Sequence, residues 1–178
     1  MQELVDTPWW HAHREALIGL LGDRDSAYVY DLATVRAQAG KLVALRSFTR
    51  VLYALKANPH AAILEALAGA GFGFECVSRA ELERVREALP GIAEERVLFT
   101  PNFAPRSEYR WALERGYRVT VDNLQVLRDW APLFHDREIF LRLDATGGRG
   151  HHEKVRTGGR HSKFGVPPEE FDELVPAV

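Results

Sequence analysis

Lys56 closes an apolar run, Val51-Leu52-Tyr53-Ala54-Leu55-Lys56. Read as a strand, the run alternates its side chains, so Leu52, Ala54 and Lys56 share one face. A lysine buried at the end of such a strand pays for its charge, and its neutral amine can attack a carbonyl and form a Schiff base. The competing reading is a strand-end lysine whose stem lies on apolar surface while its ammonium reaches water. Arg142 raises the same question inside Ile139-Phe140-Leu141-Arg142-Leu143. A guanidinium in an apolar strand is costly without partners. It either pairs with Glu75 or Asp144, or serves a bound group.

His151, His152 and His161 cluster in a glycine-rich stretch and invite a metal reading. Lys154, Arg156, Arg160 and Lys163 surround them, and this positive charge opposes a cation. Zinc sites also need ordered ligands with supporting partners, so no metal is expected. The length of the loop marks it as functional or as part of an interface. Cys76 is the sole cysteine, which excludes an internal disulfide and a cysteine zinc cage. A reducing cytoplasm is the simplest setting.

The elements that must position these groups alternate regularly. Thr7 and Pro8 suit the cap and first position of a helix that Gly22 ends. A short strand is expected at Ala27–Tyr30 and a helix from about Leu32 to Arg46. Apolar strand-like runs then begin near Val51, Gly73, Val97, Tyr117 and Glu138, at a spacing of roughly 20 to 24 residues. Helical stretches follow the first four, over about His60–Ala70, Arg79–Leu89, Pro105–Arg115 and Asn123–Phe134. Ser78 and Glu81 read as a capping box. Such βα repetition implies an α/β protein with a parallel sheet covered by helices.

Two architectures satisfy that pattern, a doubly wound sheet and a (β/α)8 TIM-type barrel. A nucleotide-binding sheet usually carries a glycine-rich turn after its first strand, whereas here the turn is Lys56-Ala57-Asn58-Pro59. The barrel is therefore expected, as a partial one of about five strands, since closure needs eight over roughly 250 residues. Residues 1–26 read as a helical preamble and 27–178 as the N-terminal portion of the barrel.

The bulk composition is that of a globular domain. Of 178 residues, 46% are hydrophobic and 27% charged, with a formal net charge of −2. That balance does not favour nucleic acid or an anionic membrane surface. No apolar run approaches the roughly 18 residues of a membrane span. The start, MQELVDTPWW, does not resemble a secretory signal.

Five motifs in order resemble one family. Tyr53-Ala54-Leu55-Lys56-Ala57-Asn58-Pro59 is similar to the cofactor-lysine motif of the barrel-type, alanine racemase-like pyridoxal-phosphate decarboxylases. Gly73-Phe74-Glu75-Cys76-Val77-Ser78-Arg79-Ala80-Glu81 resembles their second-strand signature. Asp122-Asn123, Leu141-Arg142-Leu143-Asp144 and Ser162-Lys163-Phe164-Gly165 resemble three later ones. The stretch 151–165 and the Trp9-Trp10 preamble resemble proteobacterial diaminopimelate decarboxylases, including those fused to aspartate kinase. Two positions depart from the pattern: Glu75 stands where Asp is common, and Ala80 where Gly is common.

The resemblance implies pyridoxal 5'-phosphate as cofactor and Lys56 as the lysine that carries it, with Ala54, Glu75 and Arg142 also at the cofactor. It implies decarboxylation of meso-2,6-diaminopimelate to L-lysine and a cytoplasmic homodimer acting on a small amino acid. The family's ring-stacking histidine, phosphate loop and catalytic cysteine come later than Val178, so residues 1–178 alone are expected to be inactive. Rival readings are a decarboxylase of ornithine, arginine or a carboxylated polyamine, an alanine racemase, and a non-catalytic cofactor-binding homologue.

Overall fold

The computed structural model describes residues 7–144 and 164–173. Two short helices, α1 (Trp9–Ala12) and α2 (Arg14–Leu21), lead into α3 (Leu32–Val43). Five strands follow: β1 (Leu52–Ala54), β2 (Gly73–Cys76), β3 (Val97–Phe99), β4 (Arg118–Val121) and β5 (Ile139–Leu141). Helices α4 (Ala61–Gly69), α5 (Arg79–Ala88), α6 (Arg106–Glu114) and α7 (Leu124–Asp129) occupy the four crossovers.

Every strand pairing is parallel, and the spatial order is the chain order, β1-β2-β3-β4-β5. A doubly wound sheet reverses direction at a switch point. This one does not, so it is an arc of a (β/α)8 barrel. Beyond β5, Leu143 bridges Val166 in parallel, so the chain continues in the same sense after the stretch 145–163.

Register separates the two faces of the arc. Phe74, Cys76, Val97, Phe99, Val119 and Val121 are buried, and they join Leu64, Leu82, Val85, Ala112 and Leu127 of the helices in one core. Tyr109 of α6 sits at its centre, with edge contacts to Phe99, Trp130 and Phe134 at ring-centroid distances of 6.0, 5.4 and 6.2 Å. The opposite face is open: Ala54, Glu75 and Leu98 are half-buried, while Leu52 and Phe140 are 37% and 41% exposed. Continuously apolar strands suggest burial on both faces; in the described residues only the helix-covered face is fully dry.

Side-chain caps start most helices. Asp31 accepts from the Ala33 and Thr34 amides at 3.2 and 2.9 Å and from the Thr34 hydroxyl at 2.6 Å, bonds that lower its carboxyl pKa. Ser78 accepts from Glu81 N at 3.3 Å, and Glu81 reaches back to Val77 N at 2.7 Å rather than to the amide of Ser78 as a strict capping box would. Asn123 accepts from Val126 N at 2.9 Å.

Several expected boundaries move. Ala27–Tyr30 is not a strand: it has no ladder partner among the described residues, and Tyr28 is 92% exposed. Alternation alone cannot make a strand without a neighbour to bond. Thr7 does not cap the first helix; Pro8 holds the cap position in extended conformation without a side-chain cap, and the helix breaks at His13. Helix α3 ends at Val43 rather than Arg46. Helix α7 ends at Asp129, and a separate 3-10 turn, Ala131–Leu133, follows, with Pro132 supplying no amide to continue the helix.

Candidate active site

The polar groups of the open face gather at the carboxyl ends of the strands, where barrel proteins build their sites. Lys56 is not on β1 itself. The strand ends at Ala54, and Leu55–Ala57 forms a 3-10 turn in which Leu55 is fully buried and Lys56 is exposed. The expected burial of Lys56 is therefore absent from the described residues, because the alternation that predicts it stops two residues earlier. Leu55 packs into the core and thereby presents Lys56 at the rim.

The turn is tied at three points. The Tyr53 hydroxyl donates to the Asn58 carbonyl at 3.4 Å. Asn58 Oδ1 accepts from His60 N at 3.0 Å, which leads the chain into α4. Arg84 Nε, on α5, donates to the Pro59 carbonyl at 3.1 Å. The run Tyr53–Pro59 is thus a set of local bonds that hold one lysine in place.

Glu75 lies next to Ala54 in register. Burial raises its carboxyl pKa; the neighbouring charges of Lys56 and Arg142 pull it back, and that of Glu81 adds to the rise. Among the described residues Lys56 and Glu75 make no direct ion pair, so they meet through longer-range charge. The Thr100 hydroxyl is close to Glu75, yet buried without a hydrogen bond of normal geometry. Asp122, 6% exposed, follows β4; burial raises its pKa, against an Asn123 Nδ2 bond at 3.0 Å and the charge of Arg142.

Arg142 follows β5 and is half-buried. Its Nη1 donates to Asn102 Oδ1 at 3.5 Å, and its guanidinium carbon lies 4.5 Å from the Phe164 ring centroid. Among the described residues it makes no contact ion pair with Glu75, which meets its charge at longer range; Asp122, Asn102 and Phe164 are its further neighbours. Ala54, Glu75 and Arg142 therefore share one face, and Lys56 stands at its rim within reach of the Glu75 charge. Sequence reasoning did not count Asp122, Asn102 or Phe164 among the site residues. Asp122 had the same signal as Arg142, a charge at the end of an apolar run. Phe164 lay within the Ser162–Gly165 motif without being named as a site residue, and Asn102 carried no signal, because only folding brings the two to Arg142.

Other groups do not join the site. Cys76 is fully buried on the helix side, and burial drives its thiol pKa far upward, which keeps it protonated and inert. His151, His152, His161 and the start of the Ser162–Gly165 motif lie outside the described residues. Among the described residues no cluster of three or more His, Cys, Asp or Glu could hold a metal, and no helix is long and apolar enough to cross a membrane.

Comparison with known proteins agrees with the parallel βα fold. The chain is 33% identical over 153 residues to diaminopimelate decarboxylase of Streptomyces coelicolor, covering 85% of this chain and 34% of that protein. It is 34% identical over 123 residues to ornithine decarboxylase of Neurospora crassa, covering 68% and 25%. The crystal structure of Helicobacter pylori diaminopimelate decarboxylase complexed with L-lysine superposes with a TM-score of 0.73 at 26% identity, covering 86% of this chain and 41% of that one. The chain thus spans about a third of the length of the diaminopimelate decarboxylase relatives it matches. Residues 32–177 match the model of the pyridoxal binding domain of pyridoxal-dependent decarboxylases, and with its lysine-bearing barrel arc the chain belongs to that family, whose cofactor is pyridoxal phosphate.

Proposed function

We propose that the full-length protein decarboxylates meso-2,6-diaminopimelate to L-lysine and CO2, with Lys56 as the residue that carries the cofactor. The observation that carries this reading is the grouping of Glu75 and Arg142 on one open face with Lys56 at its carboxyl rim. A primary amine beside a carboxyl with a raised pKa and a guanidinium fits the aldehyde and ring of pyridoxal phosphate. The substrate assignment draws support from the diaminopimelate decarboxylase relatives.

When bound, the cofactor accepts the electron pair left as CO2 departs. The residues of this chain hold and orient. Lys56, presented by the tied turn, would hold the cofactor through its amine. Ala54, short and on the same face, leaves room for a flat ring. Glu75 would bring to the ring a carboxyl whose pKa burial raises. Arg142 brings fixed positive charge to the same face.

Residues 1–26 serve in this reading as a preamble and 27–178 as the first part of the barrel. A cytoplasmic homodimer is part of it, as is fusion to an aspartate kinase, suggested by the stretch 151–165 and Trp9-Trp10. The ornithine decarboxylase relative supports a second reading, a basic amino-acid or polyamine decarboxylase on the same arc. CO2 release by the purified full-length protein with pyridoxal phosphate decides between them. Turnover of meso-diaminopimelate well above that of ornithine, arginine or lysine is expected; preference for ornithine or arginine would transfer the assignment to the second reading.

A further inference from the structure

We propose that Asn102 and Phe164 are positioning residues that hold the Arg142 guanidinium in place, an inference that rests on the function proposed above. The backbone of Arg142 is pinned first: its amide donates to Val121 O at 2.9 Å and its carbonyl accepts from Val166 N at 2.8 Å. That places the residue but not its long side chain, which has several rotatable bonds. Two contacts of different geometry complete the restraint. Asn102 Oδ1 accepts an N–H at 3.5 Å, and the guanidinium carbon lies over the Phe164 ring, 4.5 Å from its centroid. A hydrogen bond at one nitrogen and a ring under the guanidinium carbon restrain the side chain from two directions, more than either does alone.

The sequence around Phe164 is built for this approach. Gly165 has φ +82°, and a Cβ there would lie 2.8 Å from Asp144 N and 2.9 Å from the Leu143 carbonyl carbon. Only glycine lets the chain pass the end of β5 this closely. The next residue, Val166, is fully buried and bridges Leu143, so the ring of Phe164 is anchored from one side by a strand contact. Asn102 is brought from the loop after β3, next to Phe103, which itself has φ +57°.

The choice of partners matters for the charge. Among the described residues Arg142 makes no contact ion pair, although Glu75 and Asp122 both feel it. A carboxylate clamp would neutralise the guanidinium; an amide oxygen and an aromatic ring orient it and leave its charge available. Among the described residues the open face therefore holds a restrained cation with no carboxylate in contact with it.

The test is a double-mutant cycle in the full-length protein, read by absorbance titration with pyridoxal phosphate and by crystal structures. Phe164→Leu keeps bulk but removes the ring, and should weaken cofactor affinity roughly threefold to tenfold. Phe164→Tyr should restore it, and Asn102→Ala should act in the same direction as Phe164→Leu. In an Arg142→Ala background, Phe164→Leu should have no further effect. In the Phe164→Leu crystal structure the guanidinium should be displaced or disordered. Undiminished loss in the Arg142→Ala background, or an unmoved guanidinium, would overturn the proposal. Failure of the decarboxylase reading looks different: wild-type protein would take up no pyridoxal phosphate, while the crystal structures would still report on the guanidinium.

Discussion

The Tyr53 hydroxyl spans the turn that carries Lys56 and donates to the carbonyl of Asn58 at 3.4 Å. The Tyr53 ring stands edge-on to Phe74 at 6.5 Å, so the core holds one end of the side chain and the turn holds the other. Tyr53→Phe keeps the ring contact and loses only the bond. The bond is long, and a loss of about 0.5–1 kcal/mol is expected in urea denaturation. A larger effect should appear in cofactor retention, because the turn fixes the reach of Lys56.

Lys56 should be the lysine that takes pyridoxyl label when the full-length holoprotein is reduced with borohydride and mapped by peptide mass spectrometry. It stands at the carboxyl rim, whereas Lys41 lies in α3 outside the arc. Label on Lys41, Lys154 or Lys163 would remove Lys56 from its proposed role.

Arg142→Ala should reduce turnover and cofactor retention far more than Arg128→Ala. Arg128 lies on α7, pairs with Glu173, and is exposed at both ends of that pair, the kind of contact that contributes only about 0–1 kcal/mol. Arg142 is half-buried among Asn102, Phe164 and two acids. Equal behaviour of the two variants in the full-length protein would make Arg142 structural at most.

Glu75 and Asp122 both have pKa values raised chiefly by burial. The folded state then holds protons that the unfolded chain has already released, so these groups lower stability as pH rises from the ordinary carboxylate range through their folded pKa values. Their penalty is absent below that window and complete above it. Glu75→Gln should therefore melt higher than wild type at neutral pH, and the difference should vanish on acidification below the carboxylate range. Melting curves from pH 3 to 8 check this, and a lower melting temperature for the variant at pH 7 would contradict it.

Gly73 opens β2 where the chain has no room. A Cβ there would meet Arg96 O at 2.3 Å and Leu52 Cδ2 at 2.5 Å. The Arg96 carbonyl cannot yield, because its own side chain holds the Ala68 and Phe72 carbonyls. Gly73→Ala should cost about 1–3 kcal/mol in chemical denaturation, whereas alanine at Gly69, with nothing nearby, should be neutral or better.

Much of this protein is legible in its local chemistry. The apolar runs at steady spacing mark the five strands, and Ser78 and Asn123 mark the helix starts that follow β2 and β4, because caps and periodicity depend on neighbours a few residues away. Lys56 stands out for the same reason: its turn is closed by Tyr53, Asn58 and His60. Tertiary structure alone decided the rest. Strand order, and with it barrel over doubly wound sheet, depends on which edges pair across twenty or more residues. Ala27–Tyr30 alternates like a strand but finds no edge to bond. Arg142 meets Asn102 forty positions away, and its orientation follows from a ring that Gly165 alone allows to approach. Short-range bonds are written in the order of residues; contacts between distant segments exist only once the sheet has brought their ends to the same rim.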